Sequence, residues 1–272
     1  MADEAAADWV PPGVDTQKAN TARVYDYWLG GTHNFLADQD VGRAISAVEP
    51  NMRGIARANR AFLRRAVRFL GQQGIDQFLD IGSGIPTEGN VHEIAQRANS
   101  AARVAYVDVD PVAIAHSKAI LEGNQNARVI DADLRGPEKI LANETVGRLI
   151  DLGRPVGLIL MVVLHFISDS EQPGEIVATL RDALAPGSYL VLGHATVDGK
   201  PAVAHATEKV YNRGVATKLH LRTHAEILSL FDGFDLLDPG LVFAPVWRPD
   251  SPDDVPAEPR EFGTLVGVAR KP

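Results

Sequence analysis

From Phe78 onward, short apolar runs alternate with stretches of helical periodicity, and this alternation constrains the fold more than any other feature of the chain. The apolar runs fall at residues 78–81, 104–107, 127–130, 156–163, 188–193, 240–246 and 263–269, and helical patterns fill 91–98, 111–121, 137–149, 173–184, 203–215 and 224–230. That spacing predicts βαβ units and a mostly parallel sheet buried on both faces, an α/β fold with helices on either side. Residues 16–70 carry helical periodicity only. Asp15 and Thr16 are placed to cap a first segment, Gly30-Gly31 breaks it, and a long helix spans 51–70. The chain therefore divides into an N-terminal helical extension over 1–72 and a sheet domain over 73–272. The stretch 250–259, with three Pro and four acids, is expected to be an exposed loop between the last two strands.

Composition narrows the function classes. A chain of 272 residues can bury a large core. It has no cysteine, which excludes disulfides, thiolate metal sites and a cysteine nucleophile, and suits a reducing compartment. Residues 1–9 are acidic and alanine-rich and lack the basic and apolar regions of a secretory signal, so a cytoplasmic location is expected. The longest apolar stretch, 155–167, is interrupted by Gly157 and His165 and is shorter than the roughly 20 residues that span a bilayer, so no membrane association is expected. With 27 Lys+Arg against 35 Asp+Glu, the net charge is −8, which argues against duplex nucleic acid or anionic lipid as partner.

The segment Phe78-Leu79-Asp80-Ile81-Gly82-Ser83-Gly84-Ile85-Pro86-Thr87 runs from a strand into a small-residue loop and then a helix. Glycines let the backbone approach a ligand, and the helix start offers free N–H groups. A dinucleotide fingerprint would place a third glycine where Thr87 stands, and Asp80 would repel a pyrophosphate. A nicotinamide-dependent oxidoreductase is accordingly disfavoured. An acid before G-x-G suits a ligand that is cationic near the loop, as S-adenosyl-L-methionine is through its ammonium and sulfonium. Asp108 ends the second strand, where a carboxylate can accept both ribose hydroxyls, and Asp133 follows the third, where it can accept from an adenine amino group. Asp110 is better placed than Asp108 to cap the helix opened by Pro111.

These residues resemble class I S-adenosylmethionine-dependent methyltransferases: Asp80-Ile81-Gly82-Ser83-Gly84 is similar to their first motif, Asp108 and Asp133 to their second and third acids. Residues 184–192, LAPGSYLVL, resemble their L-x-P-G-G-x-L turn. A narrower resemblance covers almost the whole chain. ARVYDYWLGG at 22–31, Asn34-Phe35, Asp38, Asn59-Arg60, NVHE at 90–93 and VLHF at 163–166 are similar to a bacterial family of S-adenosyl methyltransferases. Pro86 departs from the general class, where a third glycine is usual. The resemblance implies a Rossmann-like seven-stranded sheet with an antiparallel last strand. It also implies S-adenosyl-L-methionine as cofactor, with Asp80, Gly82, Ser83, Gly84 and Pro86 around its amino-acid end, Asp108 on the ribose, and Val109, Asp133 and Leu134 around the adenine.

The candidate catalytic residues are His165, just past the fourth strand and able to act as a base, and Tyr27 in the N-terminal segment. Arg23, Tyr25, Tyr27 and Trp28 lie before Gly30-Gly31, a pattern that suits either a lid over the ligand or simple packing on the sheet. His194, His205, His220 and His224 show no metal-ligand spacing, and no metal is expected. Arg53, Arg57, Arg60, Arg64 and Arg68 form a stripe on the long helix whose plainest reading is a solvated face. Arg57 is the member chosen to grip the cofactor carboxylate. The expected function is methyl transfer to a small-molecule acceptor; the alternative is a non-catalytic module that binds the cofactor or its demethylated product and acts through a partner.

Overall fold

In the computed structural model residues 10–86 and 89–272 are described; the acidic start of the chain and Thr87 of the glycine loop lie outside them. Strand β1 (Gln77–Ile81) is buried at every position, as a central parallel strand must be. It pairs in parallel with β2 (Arg103–Asp108) on one side and β4 (Gly157–Met161) on the other. The sheet extends to β3 (Ala127–Asp131) beyond β2, and to β5 (Tyr189–Ala195) beyond β4, all parallel. β8 (Thr264–Arg270) then pairs antiparallel with β5, as expected for the last strand.

One expected strand is split. The run 240–246 contributes only β7 (Val242–Phe243), while β6 (Asp235–Leu236) precedes it, and both pair antiparallel with the same edge of β8. Pro239, which has no N–H to give a ladder, and Gly240, at φ +86°, separate them. The sheet thus has eight strands, ordered β3-β2-β1-β4-β5-β8-β6 with β7 also on β8.

The period of two in the strands divides the core. Leu79, Ile81, Ala105, Val107, Leu158 and Leu160 face one helical layer. It includes α6 (Pro137–Leu141), α7 (Glu144–Leu149), α8 (Pro173–Ala183) and α10 (His224–Ser229). The single helix expected over 137–149 is two, because Asn143 caps the second with its side chain on Thr145 N. Phe78, Val104, Tyr106, Ile159 and Val191 face the other layer, where α3 (Met52–Gln72) contributes Phe62, Ala66 and Leu70 and α4 (Val91–Ala98) contributes Val91 and Ala95. Asp80 and Asp108 lie two residues beyond Phe78 and Tyr106, and so share the α3 face. α5 (Pro111–Ile120) follows β2, capped by Asp110, which accepts from Ala113 N at 2.8 Å.

A separate apolar cluster joins α1 (Thr21–Leu29), α2 (Leu36–Val48), the start of α3 and α9 (Pro201–Gly214): Val24, Trp28, Ile45, Ala56, Tyr211 and Val215. The first helix is capped by Asn20, which accepts from Ala22 N, not by Asp15 or Thr16. Asp15 instead accepts from Gln17 N in a turn that precedes it. Gly30 ends α1 at φ +84°, as the glycine pair suggests. The stretch 250–259 is the loop between β7 and β8, with 3-10 turns at Pro252–Asp254 and Pro259–Phe262.

Candidate cofactor and acceptor site

Above the carboxyl ends of β1, β2 and β4 lies a cavity of about 300 Å³, mostly apolar, roofed by α1 and α9. Open parallel sheets place ligands at this edge, where strand order turns from β1 to β2 on one side and β4 on the other. Asp80, Gly82, Ser83, Gly84, Asp108, Val109, Asp133, Leu134 and His165 all line it, so the structure brings together nearly all the residues singled out in the sequence.

Gly82 and Gly84 adopt φ of +76° and +67°, and a Cβ on Gly82 would lie 2.4 Å from Val163. Only glycine fits there. Gly82 N donates to Val107 O at 2.8 Å, which holds the loop against β2. Pro86 lies off the main cavity, in a narrow niche between the loop and α4. That niche is shaped by Asn90, which caps α4 while Glu93 accepts from Asn90 N, and by Tyr106, whose hydroxyl accepts from His92 N at 2.8 Å.

Asp80 is 5% exposed, and burial pushes its carboxyl up to about 7, with Arg60 pulling it down and Asp108 pushing it further up. Asp108 is also raised by burial, opposed by three backbone donors. Its Oδ1 accepts from Val109 N at 2.8 Å and Asp110 N at 2.9 Å, and its Oδ2 from Gly84 N at 2.7 Å. Three of roughly four lone-pair sites are therefore filled, and one on Oδ2 remains for a ligand. Acceptance of both ribose hydroxyls requires the Gly84 bond to give way. Val109, a large apolar side chain, is 56% exposed beside buried Leu134, which is the environment of a flat ring's two faces. Asp133 is exposed and accepts from Arg135 N at 2.9 Å.

Two expectations are corrected. Arg57 is exposed and does not line the cavity; Arg60 does, and its Nε and NH2 atoms are buried without a partner among the described residues. Arg60 shares its helix face with Ala56 and Leu63, both on the cavity wall, whereas Arg57 is a turn short on the solvent side. Tyr27 is likewise outside: its ring packs on Gly42, where a Cβ would lie 2.4 Å away, and the Arg53 guanidinium lies over it at 5.4 Å from the ring centroid. The α1 tyrosine at the cavity is Tyr25, with Trp28 and Leu29 at i+3 and i+4 beside it. Its hydroxyl donates to Ala56 O at 3.3 Å.

The remaining arginines of the stripe are not a site. Arg64 and Arg68 pair with Asp250 at the surface, an arrangement of small energetic weight. Arg65, off the stripe, is buried and donates to Trp247 O and Ala244 O.

His165 is buried in a 3-10 turn (Leu164–Phe166), and burial, with His194 and Arg222 adding to it, holds its pKa well below the usual value. Its Nδ1 accepts from Ala195 N at 3.3 Å, so the proton of the neutral ring sits on Nε2. The turn is fixed by Arg222, which sequence reasoning did not single out. It donates to Leu164 O at 3.2 Å, to Ile167 O at 2.8 Å and to Nε2 of His194 at 2.8 Å. His194, pushed down to about 3 by burial, is thus a neutral acceptor inside the fold. Among the described residues no three metal-ligating side chains converge.

The N-terminal signature residues build the roof. Arg23 pairs with buried Asp38 at 3.3 Å, and Asp38 accepts from Asn20 N and Phe35 N, each at 2.8 Å. Asp26 accepts from His33 N and Asn34 Nδ2, and a Cβ on Gly31 would lie 2.0 Å from it. Tyr211 of α9 donates to Thr21 Oγ1 of α1 at 2.9 Å, closing the roof.

The family model described as S-adenosyl methyltransferase matches residues 7–272. The chain belongs to that family. Its structure is similar to that of a candidate methyltransferase from Thermobifida fusca YX, at 41% identity over 97% of this chain and 99% of that one, with a TM-score of 0.92. It is also similar to a DUF574 family protein from Streptomyces avermitilis MA-4680, at 37% identity over 95% and 99%, with a TM-score of 0.90. The pyocyanin biosynthetic protein PhzM, at 17% identity, 86% and 61% coverage and a TM-score of 0.50, shares the fold alone. No curated protein matches the chain. This S-adenosyl methyltransferase therefore uses S-adenosylmethionine as its cofactor, and among its described residues no helix is long and apolar enough to cross a membrane.

Proposed function

We infer that the enzyme methylates a small-molecule acceptor enclosed beneath the helical cap. The roof carries this reading: α1 and α9 meet over the cavity through Tyr211 and Thr21, and the chain beside them through the bridge between Ala19 and Val215, so that the cavity is a partly covered recess suited to a small acceptor. The cap comprises α1, α2 and α9, and the N-terminal segment acts as a lid whose inner wall is Tyr25 and Trp28.

The fit to S-adenosylmethionine rests on groups that lack partners. Arg60, whose Nε and NH2 are buried and unpaired among the described residues, would take the carboxylate; Ser83 Oγ, buried and likewise unpaired among them, lines the same cavity from the glycine loop. Asp80 would take the ammonium, Asp108 a ribose hydroxyl through Oδ2, and Val109 and Leu134 the adenine faces, with Asp133 at its edge. The cofactor supplies an electrophilic methyl group when bound. The protein's task is to align the acceptor and exclude water. His165 is neutral and presents its Nε2 proton, so its role is to hold an acceptor heteroatom by donating to it; a base role would require the tautomer fixed by Ala195 N to switch.

Incubation with methyl-labelled S-adenosylmethionine and a cell extract split into small-molecule and macromolecular fractions tests this reading. Label is expected in the small-molecule fraction. Label confined to protein or nucleic acid would overturn it.

A further inference from the structure

Resting on that reading, we propose that the acceptor is an uncharged planar aromatic molecule carrying one hydroxyl or amino group. The acceptor end of the cavity is walled by Tyr25, Trp28, Met52, Phe166, Tyr211 and Leu219, drawn from both the cap and the sheet domain. Phe166 and Tyr211 stack across that boundary at 5.9 Å and 24°, and Tyr25 meets Trp28 edge-on at 6.5 Å. Aromatic faces and edges arranged this way receive another ring in stacked or edge-on geometry, with a gain beyond area burial.

The charges at this end are either paired or face solvent. Glu49, the buried acid there, is bound by Lys200 at 2.7 Å and also accepts from Asn51 N at 3.1 Å. Asp198 accepts from His224 N at 2.6 Å, Arg135 is paired with Glu171, and Arg260 stands exposed to solvent. A carboxylate or ammonium on the acceptor would lose its water among the aromatic walls and find only the solvent-facing Arg260 or Asp198 to pair with, which is a weak return for the loss. One polar atom does ask for a partner. Thr207 Oγ1, on α9, is shielded from solvent and unpaired among the described residues. A buried hydroxyl left unmade is costly, and a turn of the Thr207 side chain toward the cavity would let a ligand O–H or N–H supply the missing partner.

The test is calorimetric titration of 2-naphthol into protein first saturated with S-adenosylhomocysteine, with 2-naphthoate and decahydro-2-naphthol as probes of charge and planarity. Saturation by S-adenosylhomocysteine is measured first, so its failure strikes the cofactor site and not the acceptor class. Given saturation, 2-naphthol is expected to bind at least about tenfold more tightly than either probe. Thr207→Val and Phe166→Leu are each expected to weaken it by about fivefold or more while leaving S-adenosylhomocysteine binding unchanged. No binding of 2-naphthol to the saturated protein, equal binding of naphthoate or the saturated alcohol, or full affinity in Thr207→Val would overturn the proposal.

Discussion

At the scale of single residues, the account turns on Arg60 and Asp80, which face each other from α3 and β1 because both stand on one side of the sheet. Arg60→Met should weaken S-adenosylhomocysteine binding by about 10- to 100-fold, the range of a lost charge-assisted pair, while Arg57→Met should change it by less than about twofold. Titration of both variants checks this; equal effects would return the carboxylate to solvent. Asp80 gives a pH dependence. Its carboxyl in the free protein titrates at about 7, and a cationic ammonium selects the ionised form. Affinity should therefore rise about tenfold between pH 6 and pH 8, with proton release on binding, and Asp80→Asn should bind weakly without that slope. The same raised pKa acts on folding with a fixed sign: the folded state holds the proton more tightly than the unfolded one, whose carboxyl titrates near 3.8, so this contribution is fully present below 3.8 and is lost as pH rises through about 7. The ligand-free melting temperature should fall across that window, and less so in Asp80→Asn. Tyr27 and Arg57 show where residue-level reading in the sequence fails. Each lies on the same helix as the true wall residue, and only the helix's rotation against the sheet, which tertiary packing sets, decides between neighbours.

At the scale of elements, the cap has its own apolar cluster and a buried ion pair apart from the sheet's core, so the two should open separately. Asp38→Ala leaves Arg23 buried without its carboxylate and removes acceptors from Asn20 N and Phe35 N, a loss of about 3–5 kcal/mol for a buried pair. Hydrogen exchange should quicken in α1 and α2 and stay slow in β1 and β4; uniform acceleration would mean that the cap is no separate unit. The elements themselves were mostly legible in the sequence. β1, α4 and the N-terminus of α5 stand where periodicity and the Asp-Pro signal put them. The pair of short edge strands was not legible, since the run from Gly240 still reads as one strand and nothing in the composition before Pro239 marks a second, and neither was the break at Asn143. The cap was half visible: Tyr25, Trp28 and Leu29 announce a common face, but the polar contacts of Arg23 with Asp38 and of Asp26 with Asn34 cross the turn at Gly30-Gly31, and only that turn brings their partners together.

At the scale of the whole molecule, one sheet edge collects three loops and a cap collects the rest, so ligand binding should stabilise both at once. A hundredfold excess of S-adenosylhomocysteine over its Kd should add about 2.7 kcal/mol to the unfolding free energy and raise the melting temperature, and at the same concentration the gain should shrink to about 1.4 kcal/mol or less in Asp108→Ala, whose affinity falls about tenfold or more. The acids of the site were legible because strand ends and loop spacing fix them in sequence; Thr207, Arg222 and the pair of Glu49 with Lys200 were not, because α9 and the segment after it approach the site only through the folded roof. The most direct test of the central claim is calorimetric titration of the wild-type protein with S-adenosylhomocysteine and with NAD. The account predicts one site per chain with micromolar affinity for the first and no heat from the second. Absence of binding by the first, or binding of NAD at the same residues, would contradict it.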